Sequence, residues 1–230
     1  LGQVYDCIYG ADAVIHLAAI PRPGFDPNAV VFRTNVMSTY NVLEAASTLG
    51  ISRVILASSK SVLGYPFFYH RFAPQYVPID EQHPLLPQDP YALSKVLGEE
   101  MAKAFVRRSG MTIVSLRLAW IHTPESFVEQ LRPFWDDPEG GASNLWSYVD
   151  ARDVAQACRL ALAADLTGHE AFFIAAPNSF MPMPTLDLVR RFYPETQIRP
   201  GFGGHQSLLS SAKAARVLGY QPKYTWETYF

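Results

Sequence analysis

The heptapeptide 89–95, DPYALSK, combines a helix start with two side chains that could do chemistry. Asp89 suits the N-cap, and Pro90 suits the first helical position, where the N–H that proline lacks would be unpaired anyway. Tyr91 and Lys95 are four residues apart, so a helix places them on one face. A tyrosine hydroxyl can move a proton, but its ordinary pKa of about 10 makes it a poor base at neutral pH. A nearby ammonium favours the phenolate, so we expect Lys95 to lower the pKa of Tyr91.

Short apolar segments alternate with helical ones along the chain, which predicts βαβ units and a parallel sheet. The tyrosine helix should bury a stripe made of Leu93, Val96, Leu97, Met101 and Phe105. The proline-rich stretch 59–90 should be irregular, and the GFGG at 201–204 should be a turn. The predicted strands are 13–17, 53–58, 112–117, 146–149 and 171–175, and the predicted helices are 1–10, 29–49, 91–109, 151–164, 185–192 and 210–218.

Polar and small residues follow the predicted strands, where ligands bind in open parallel sheets. These strand ends are 16–19 (HLAA), 58–61 (SSKS) and 118–120 (LAW). The proline-rich stretch leaves the second of these ends and leads into the tyrosine helix. We therefore expect Tyr91 to return to the same edge of the sheet as Ser59.

The composition limits the classes of protein to which this chain can belong. The chain has 230 residues, is 49% hydrophobic and 17% charged, and carries a formal net charge of −2, which indicates a globular protein with no nucleic-acid or membrane-surface partner. Cys7 and Cys158 lie far apart, and neither they nor the six histidines show metal-ligand spacing, so we expect no metal. No apolar run approaches the about 18 residues of a membrane span. The default compartment is the reducing cytosol.

Several motifs together resemble the extended short-chain dehydrogenase/reductases, the NAD-dependent epimerase/dehydratase group. ASSKSVLG followed by YALSK carries the resemblance, and five further segments occur in family order: DAVIHLAA, FRTNVMSTYNVLEAA, LRLAWIHTP, YVDARDVAQA and LGYQPKYTW. The resemblance covers nearly the whole chain. It implies an α/β fold, a Rossmann-like doubly wound parallel sheet, here N-terminally truncated, with a small C-terminal substrate lobe. The nucleotide-binding core would comprise 1–118 plus 145–176, and the lobe 119–144 and 177–230.

The resemblance also implies site residues and a cofactor, NAD or alternatively NADP. The family places its Ser/Thr five residues before a turn glycine, here Gly64, which selects Ser59 over its neighbours. Ser61 is then a candidate substrate contact, and His122, outside this motif, is a second candidate that could face the substrate pocket. The implied catalytic residues are Ser59, Tyr91, Lys95 and Asn35. The implied cofactor-binding residues are Leu17, Ala18, Ala19, Asn35, Ser58, Tyr91, Lys95 and Ala119.

The implied reaction is hydride transfer at a hydroxyl or carbonyl group of a carbohydrate: a sugar, a uronic acid or a nucleotide sugar. Dehydratases of the family carry an Asp-Glu pair directly after the Ser/Thr, whereas this chain has Lys60-Ser61, which disfavours dehydration. Asn144 and Trp120 depart from the nucleotide-sugar pattern, so epimerase and sugar or uronate dehydrogenase both stay open. The alternative is a catalytically silent cofactor-sensing or scaffold protein, against which the retained Tyr91 argues.

Two further expectations come from the same resemblance. No glycine-rich phosphate loop precedes Ala13, so we expect an upstream βαβ segment of roughly 50–60 residues that this sequence does not include. Relatives commonly dimerise by pairing two helices from each subunit into a four-helix bundle. We therefore predict a homodimer through helices 29–49 and 91–109.

Overall fold

Helices and strands alternate along the first part of the chain, as the apolar segments predicted. The computed structural model describes residues 1–229. Its α-helices are α1 (Gly2–Ile8), α2 (Asn28–Thr48), α3 (Pro90–Ser109), α4 (Ser126–Leu131), α5 (Pro133–Asp136), α6 (Pro138–Ala142), α7 (Ala151–Ala163), α8 (Thr185–Phe192) and α9 (Ala212–Leu218). Its strands are β1 (Val14–His16), β2 (Arg53–Ser59), β3 (Tyr76–Val77), β4 (Thr112–Leu118), β5 (Trp120–His122), β6 (Tyr148–Asp150), β7 (His169–Ile174) and β8 (Gln197–Ile198), and two 3₁₀ helices span Lys60–Leu63 and Trp226–Thr228.

The main sheet has four strands in the order β1-β2-β4-β7. Strands β1 and β2 pair in parallel, with His16 opposite Leu56. This confirms the predicted α/β class with a parallel sheet. Helices α2 and α3 pack on the sheet through a buried apolar cluster, whose members are Leu43, Ala46, Ile51, Val54, Leu56, Ala102, Phe105, Met111 and Ile113.

The chain divides into two units. Unit 1 comprises Leu1–Phe67, Leu85–Arg117 and Cys158–Phe172, and unit 2 comprises Phe68–Pro84, Leu118–Ala157 and Phe173–Phe230. The division into a nucleotide-binding core and a substrate lobe, as drawn from the sequence, stays a prediction.

The buried face of α3 differs from the apolar stripe that the sequence indicated. Leu93 is 41% exposed, and only Phe105 of the predicted stripe is buried. The buried positions are instead small or polar, among them Gly98 and Glu99. A β-carbon at Gly98 would lie 3.7 Å from the Thr39 methyl group of α2. Because helix separation depends on the side chains at the contact, these small residues let α3 approach α2 closely. Leu93 is turned to solvent, while Met101 packs at the margin of the core.

Other helix and strand boundaries differ from the predicted ones because of the local backbone conformation. The stretch 59–90, predicted as irregular, contains the 3₁₀ helix Lys60–Leu63, which ends at Gly64 with φ 97°, and the short strand β3. The strand predicted at 146–149 begins only at Tyr148, because Leu145 and Trp146 have φ values of 54° and 43°, which an extended strand does not contain. Strand β5 and the short helices α4 to α6 were not predicted.

Unit 2 is held together by aromatic packing and by an anchored C-terminal segment. The buried Asp153 carboxylate accepts hydrogen bonds from the backbone N–H groups of Lys223 and Tyr224. The Trp226 N–H donates to the Tyr148 hydroxyl at 3.0 Å. Strand β5 pairs in parallel with β6, and β3 with β8.

Within residues 1–229, no helix combines the length and the apolar character that crossing a membrane requires.

Candidate functional site

Ser59 and Tyr91 meet where β2 ends and α3 begins. Ser59 is the N-cap of the 3₁₀ helix, and its hydroxyl accepts a hydrogen bond from the Ser61 N–H at 3.1 Å. The Asp89 carboxylate caps α3, accepting from the N–H groups of Tyr91 at 2.8 Å and of Ala92 at 3.0 Å. These two caps direct the strand end and the helix start toward each other, so that Ser59 acts on the pKa of Tyr91, while its hydroxyl donates to that of Ser61 at 3.0 Å. The structure thus brings together the hydroxyl groups that the sequence placed at one sheet edge.

The pKa of Tyr91 does not follow the sequence-based expectation. Burial raises the pKa of Tyr91, the hydrogen bond from Ser59 lowers it, and the Asp89 carboxylate raises it, with a net increase. The predicted lowering by Lys95 is therefore wrong for this structure. The physical reason is the position of the amine, since Lys95 Nζ lies 5.5 Å from the centre of the Tyr91 ring and is directed to another partner.

That partner is a backbone carbonyl on the neighbouring strand. Lys95 Nζ donates to the Ala57 carbonyl oxygen at 2.7 Å. Burial lowers the pKa of Lys95 to about 8. An ammonium has three hydrogens, so this one bond leaves two N–H groups that could donate to a pair of hydroxyl groups.

His16 is a member of this cluster that the sequence analysis did not select. It ends β1 and lines the same small cavity as Lys95. Burial, and secondarily the Lys95 charge, lowers the pKa of His16 to about 4, so its ring is neutral at physiological pH. The signal that could have found it is a polar residue closing the apolar run of DAVIHLAA.

Asn35 holds the loop that follows β1. It is buried on α2, where its Oδ1 accepts from the Ile20 N–H at 2.8 Å and its Nδ2 donates to the Ile20 carbonyl at 3.0 Å. Its Nδ2 also lies 3.4 Å from the Ser94 hydroxyl of α3. The small apolar residues ahead of Ile20 are accessible, with Leu17 58% exposed and Ala18 exposed.

A buried ion pair between Glu99 and Arg117 begins one helical turn after Lys95 on α3. Glu99 is 4% exposed and Arg117 is 5% exposed. Arg117 donates from Nε to Glu99 Oε1 at 3.0 Å and from Nη2 to Oε2 at 2.8 Å. Ser58 donates to Glu99 Oε1 at 2.6 Å. The sequence analysis missed this pair, although the spacing of Glu99 four residues after Lys95 was visible.

The other predicted site residues have separate positions. Ser61 is buried in unit 1, 3.0 Å from the Ser59 hydroxyl. Ala119 and His122 belong to unit 2, where the Ala119 N–H donates to the Ile174 carbonyl at 3.0 Å. The His122 ring lies 4.4 Å from that of Trp120. Across residues 1–229, no group of three or more His, Cys, Asp or Glu could hold a metal ion.

The chain is similar to several sugar-active enzymes. It is 30% identical over 163 residues to the L-arabinose 1-dehydrogenase (NAD(P)(+)) of Haloferax volcanii, a match that covers 68% of this chain and 62% of that enzyme. It is 27% identical over 248 residues to the UDP-glucose 4-epimerase of Lacticaseibacillus casei, covering 93% of this chain and 72% of the epimerase. Dehydratases also match, for example the dTDP-glucose 4,6-dehydratase of Streptomyces niveus, 33% identical over 57% of this chain and 38% of that enzyme.

A solved structure shares the fold. A short-chain dehydrogenase/reductase superfamily protein from Agrobacterium tumefaciens, described with bound NAD, superposes with a TM-score of 0.72 at 23% identity, covering 99% of this chain and 80% of that one. The model of the NAD dependent epimerase/dehydratase family matches residues 3–175, a stretch that contains β1, β2, α3 and the cluster around Tyr91. On this match, the chain belongs to the NAD dependent epimerase/dehydratase family.

Proposed function

We propose that this protein is an NAD(P)-dependent oxidoreductase or epimerase that transfers a hydride at a hydroxyl or carbonyl carbon of a carbohydrate. The observation that carries the proposal is the approach of Ser59 to Tyr91 where β2 ends and α3 begins, with Lys95 Nζ 5.5 Å from the centre of the Tyr91 ring. The relatives named as sugar dehydrogenases and epimerases support the substrate class.

The accessible strand end and the lysine fit a dinucleotide cofactor. The two uncommitted hydrogens of Lys95 suit the vicinal hydroxyls of a ribose, and the exposed Leu17 and Ala18 offer a small apolar surface to a ring. The proposed cofactor contacts are Leu17, Ala18, Ala19, Asn35, Ser58, Tyr91, Lys95 and Ala119. Bound NAD or NADP would accept or supply the hydride.

Tyr91 would hold and move the proton on the reacting oxygen. In the reductive direction its hydroxyl, kept protonated because burial raises its pKa, gives that proton to the developing alkoxide. In the oxidative direction its phenolate form takes that proton from the alcohol as the hydride leaves for the cofactor. Ser59 would donate a hydrogen bond to the same oxygen and keep it beside the phenol. Ser61 and His122 are proposed substrate contacts.

Dehydration is disfavoured by the residues after Ser59. Elimination of water in this fold requires an acid and a base near the reacting carbons, and Lys60-Ser61 supplies no carboxyl group. Both side chains are also buried, and burial lowers the pKa of Lys60 well below its usual value. Epimerisation and simple oxidation of a sugar or uronic acid are the reactions that we retain.

The test uses the purified full-length protein with NAD or NADP and a panel of aldoses, uronic acids and nucleotide sugars. A dehydrogenase accumulates reduced cofactor, which absorbance detects, whereas an epimerase converts the sugar without net reduction, which chromatography detects. Tyr91→Phe should lower kcat by about 10²-fold or more, because the proton carrier is lost. The matched control is Tyr9→Phe, which alters a strongly exposed tyrosine. Full turnover by Tyr91→Phe would refute the assigned role.

We also propose that the protein dimerises through α2 and α3. Both helices present large apolar side chains to solvent, with Met37 47%, Tyr40 39% and Leu93 41% exposed. Such residues on two adjacent helices suit the centre of a helical interface. Light scattering should give twice the subunit mass, and Leu93→Glu should shift the protein to monomer. A wild-type protein that is monomeric at all concentrations would overturn this proposal.

A further inference from the structure

Three side chains of α3 follow one another at intervals of four residues: Tyr91, Lys95 and Glu99. This spacing places them on one helical face. Glu99 is nearly fully buried, and a buried carboxylate needs a counter-charge and hydrogen-bond donors. Two cations lie four residues from it on the same helix, Lys95 before it and Lys103 after it. Lys103 is exposed and pairs with Glu100, whereas Lys95 lines the same small cavity as Glu99.

Arg117, rather than Lys95, forms the ion pair with Glu99. Two arginine nitrogens reach the two carboxylate oxygens at 3.0 and 2.8 Å, and the Ser58 hydroxyl adds a third bond at 2.6 Å. Lys95 donates to the Ala57 carbonyl, one residue before Ser58 on β2. The arginine, with its rigid pair of donors, thus holds the carboxylate, while Lys95 lines the same cavity as Glu99 and donates to β2.

The other titratable groups on the neighbouring elements do not supply a competing charge for Glu99 or Lys95. From β1, His16 faces the cavity and is neutral because burial lowers its pKa to about 4. From β7, His169 is bonded to Ser115 at 2.9 Å, and burial lowers its pKa as well. On the 3₁₀ helix, burial lowers the pKa of Lys60. One turn before Lys95 on the same face of α3, burial raises the pKa of Tyr91.

We propose that Arg117 is a positioning residue for Lys95: by occupying both oxygens of Glu99, it keeps that carboxylate from capturing the lysine ammonium, which stays at the Ala57 carbonyl beside Tyr91. The catalytic meaning of this arrangement rests on the proposed function. The competition of two cations for one carboxylate does not, and it can be measured in the protein without substrate or cofactor.

The decisive variants are Arg117→Gln and the double variant Arg117→Gln/Glu99→Gln. Reductive methylation over a range of pH, followed by mass spectrometry of the peptide that contains Lys95, reports the pKa of its amine. The wild-type protein should give about 8. In Arg117→Gln the freed carboxylate should pair with Lys95 and raise its pKa toward the ordinary 10.5. In the double variant no carboxylate is left to capture it, so the pKa should return to near the wild-type value.

Turnover should follow the same order. We expect Arg117→Gln to lower kcat by about tenfold or more with a smaller change in KM, since the lysine leaves its working position. The double variant should recover most of that loss. A purely structural role for the ion pair predicts the reverse, a double variant at least as impaired as the single one. An unchanged Lys95 pKa in Arg117→Gln, or a double variant with no recovery, would overturn the proposal.

Two further variants serve as a control and as a replacement for a variant that does not fold. Glu100→Gln alters the neighbouring, exposed glutamate that pairs with Lys103, and should leave the Lys95 pKa and turnover unchanged. If Arg117→Gln does not fold, Arg117→Lys and the double variant decide, and both should keep the Lys95 pKa near 8. A raised pKa in either contradicts the proposal. If the wild-type protein shows no turnover, the proposed function fails, whereas the methylation measurement still tests whether Arg117 positions Lys95.

Discussion

Asn35 pairs with both backbone polar groups of Ile20, accepting from its N–H at 2.8 Å and donating to its carbonyl at 3.0 Å. A side-chain amide is the group that matches a peptide bond in this way, since it offers a donor and an acceptor side by side. The loop after β1 is thereby attached to α2 at a point just beyond the exposed Leu17 and Ala18. The asparagine thus acts on the cofactor side of the proposed site through the backbone.

Asn35→Ala should release this loop. Both Ile20 groups would lose their partner, at a cost in the free energy of unfolding of about 1–3 kcal/mol. The Ile20 amide should exchange its hydrogen faster in exchange mass spectrometry, and the affinity for NAD should fall. Asn41→Ala on the same helix is the control. Unchanged exchange at Ile20 would show that the hydrogen bonds do not hold the loop.

Arg53 caps the C-terminal end of α7 from the neighbouring strand β2. Its guanidinium donates to the carbonyls of Ala161 at 3.1 Å, Ala164 at 2.8 Å and Leu166 at 3.4 Å. Ala161 lies in the last turn of α7, where carbonyls lack partners within the helix. Ala164 and Leu166 follow the helix end, and their carbonyls also accept from the Leu166 N–H and the Thr112 hydroxyl, respectively. The cation faces the negative end of the helix dipole.

Arg53→Met should lower the free energy of unfolding by about 2–3 kcal/mol in urea titrations. Arg159→Gln, an exposed arginine of the same helix, should change it little; equal losses in the two variants would contradict the capping role.

Acid should destabilise the protein through His16. Because burial, followed by the charge of Lys95, lowers the pKa of His16 from 6.5 to about 4 in the folded state, the unfolded chain binds a proton in this range and the folded one does not. Stability is therefore complete above pH 6.5 and falls as the pH decreases toward 4, by an amount on the order of 3 kcal/mol.

His16→Asn tests this pH dependence in urea titrations at stepped pH. The variant is expected to lose less stability between pH 6.5 and 4 than the wild-type protein. His205→Asn, which alters an exposed histidine, should keep the wild-type slope. Identical slopes for His16→Asn and the wild-type protein would show that His16 is not the group responsible.

Asp89 and Ser59 act on the pKa of Tyr91 in opposite directions. The charge of Asp89 raises this pKa, and the hydrogen bond from Ser59 lowers it. Asp89→Asn keeps the oxygen that caps α3 but removes the charge, so the pKa should fall, whereas Ser59→Ala should raise it further. Titration of the Tyr91 ring carbon by NMR measures both effects, with Ser109→Ala at the far end of α3 as control. A shift in the same direction for both variants would contradict the assignment.

Local chemistry was predictable from the sequence where neighbours along the chain decide it. The Asp89 cap, the Pro90 start and the shared face of Tyr91 and Lys95 all follow from helix geometry. The return of α3 to the end of β2 was also predictable, because connections in parallel sheets bring strand ends to one edge. The outward position of Leu93 was not, since apolar periodicity does not tell whether α2 or solvent covers a given face.

By itself, then, the sequence determined the α/β class, the order of the elements and the family of motifs that join Ser59 to Tyr91. Only the tertiary structure decided that Lys95 bonds to the Ala57 carbonyl, that Glu99 is buried against Arg117, and that the pKa of Tyr91 is raised. The reason is that burial and charge pairing depend on groups from other strands and helices. Their distances are set when the sheet and its helices pack, and no spacing along the chain encodes them.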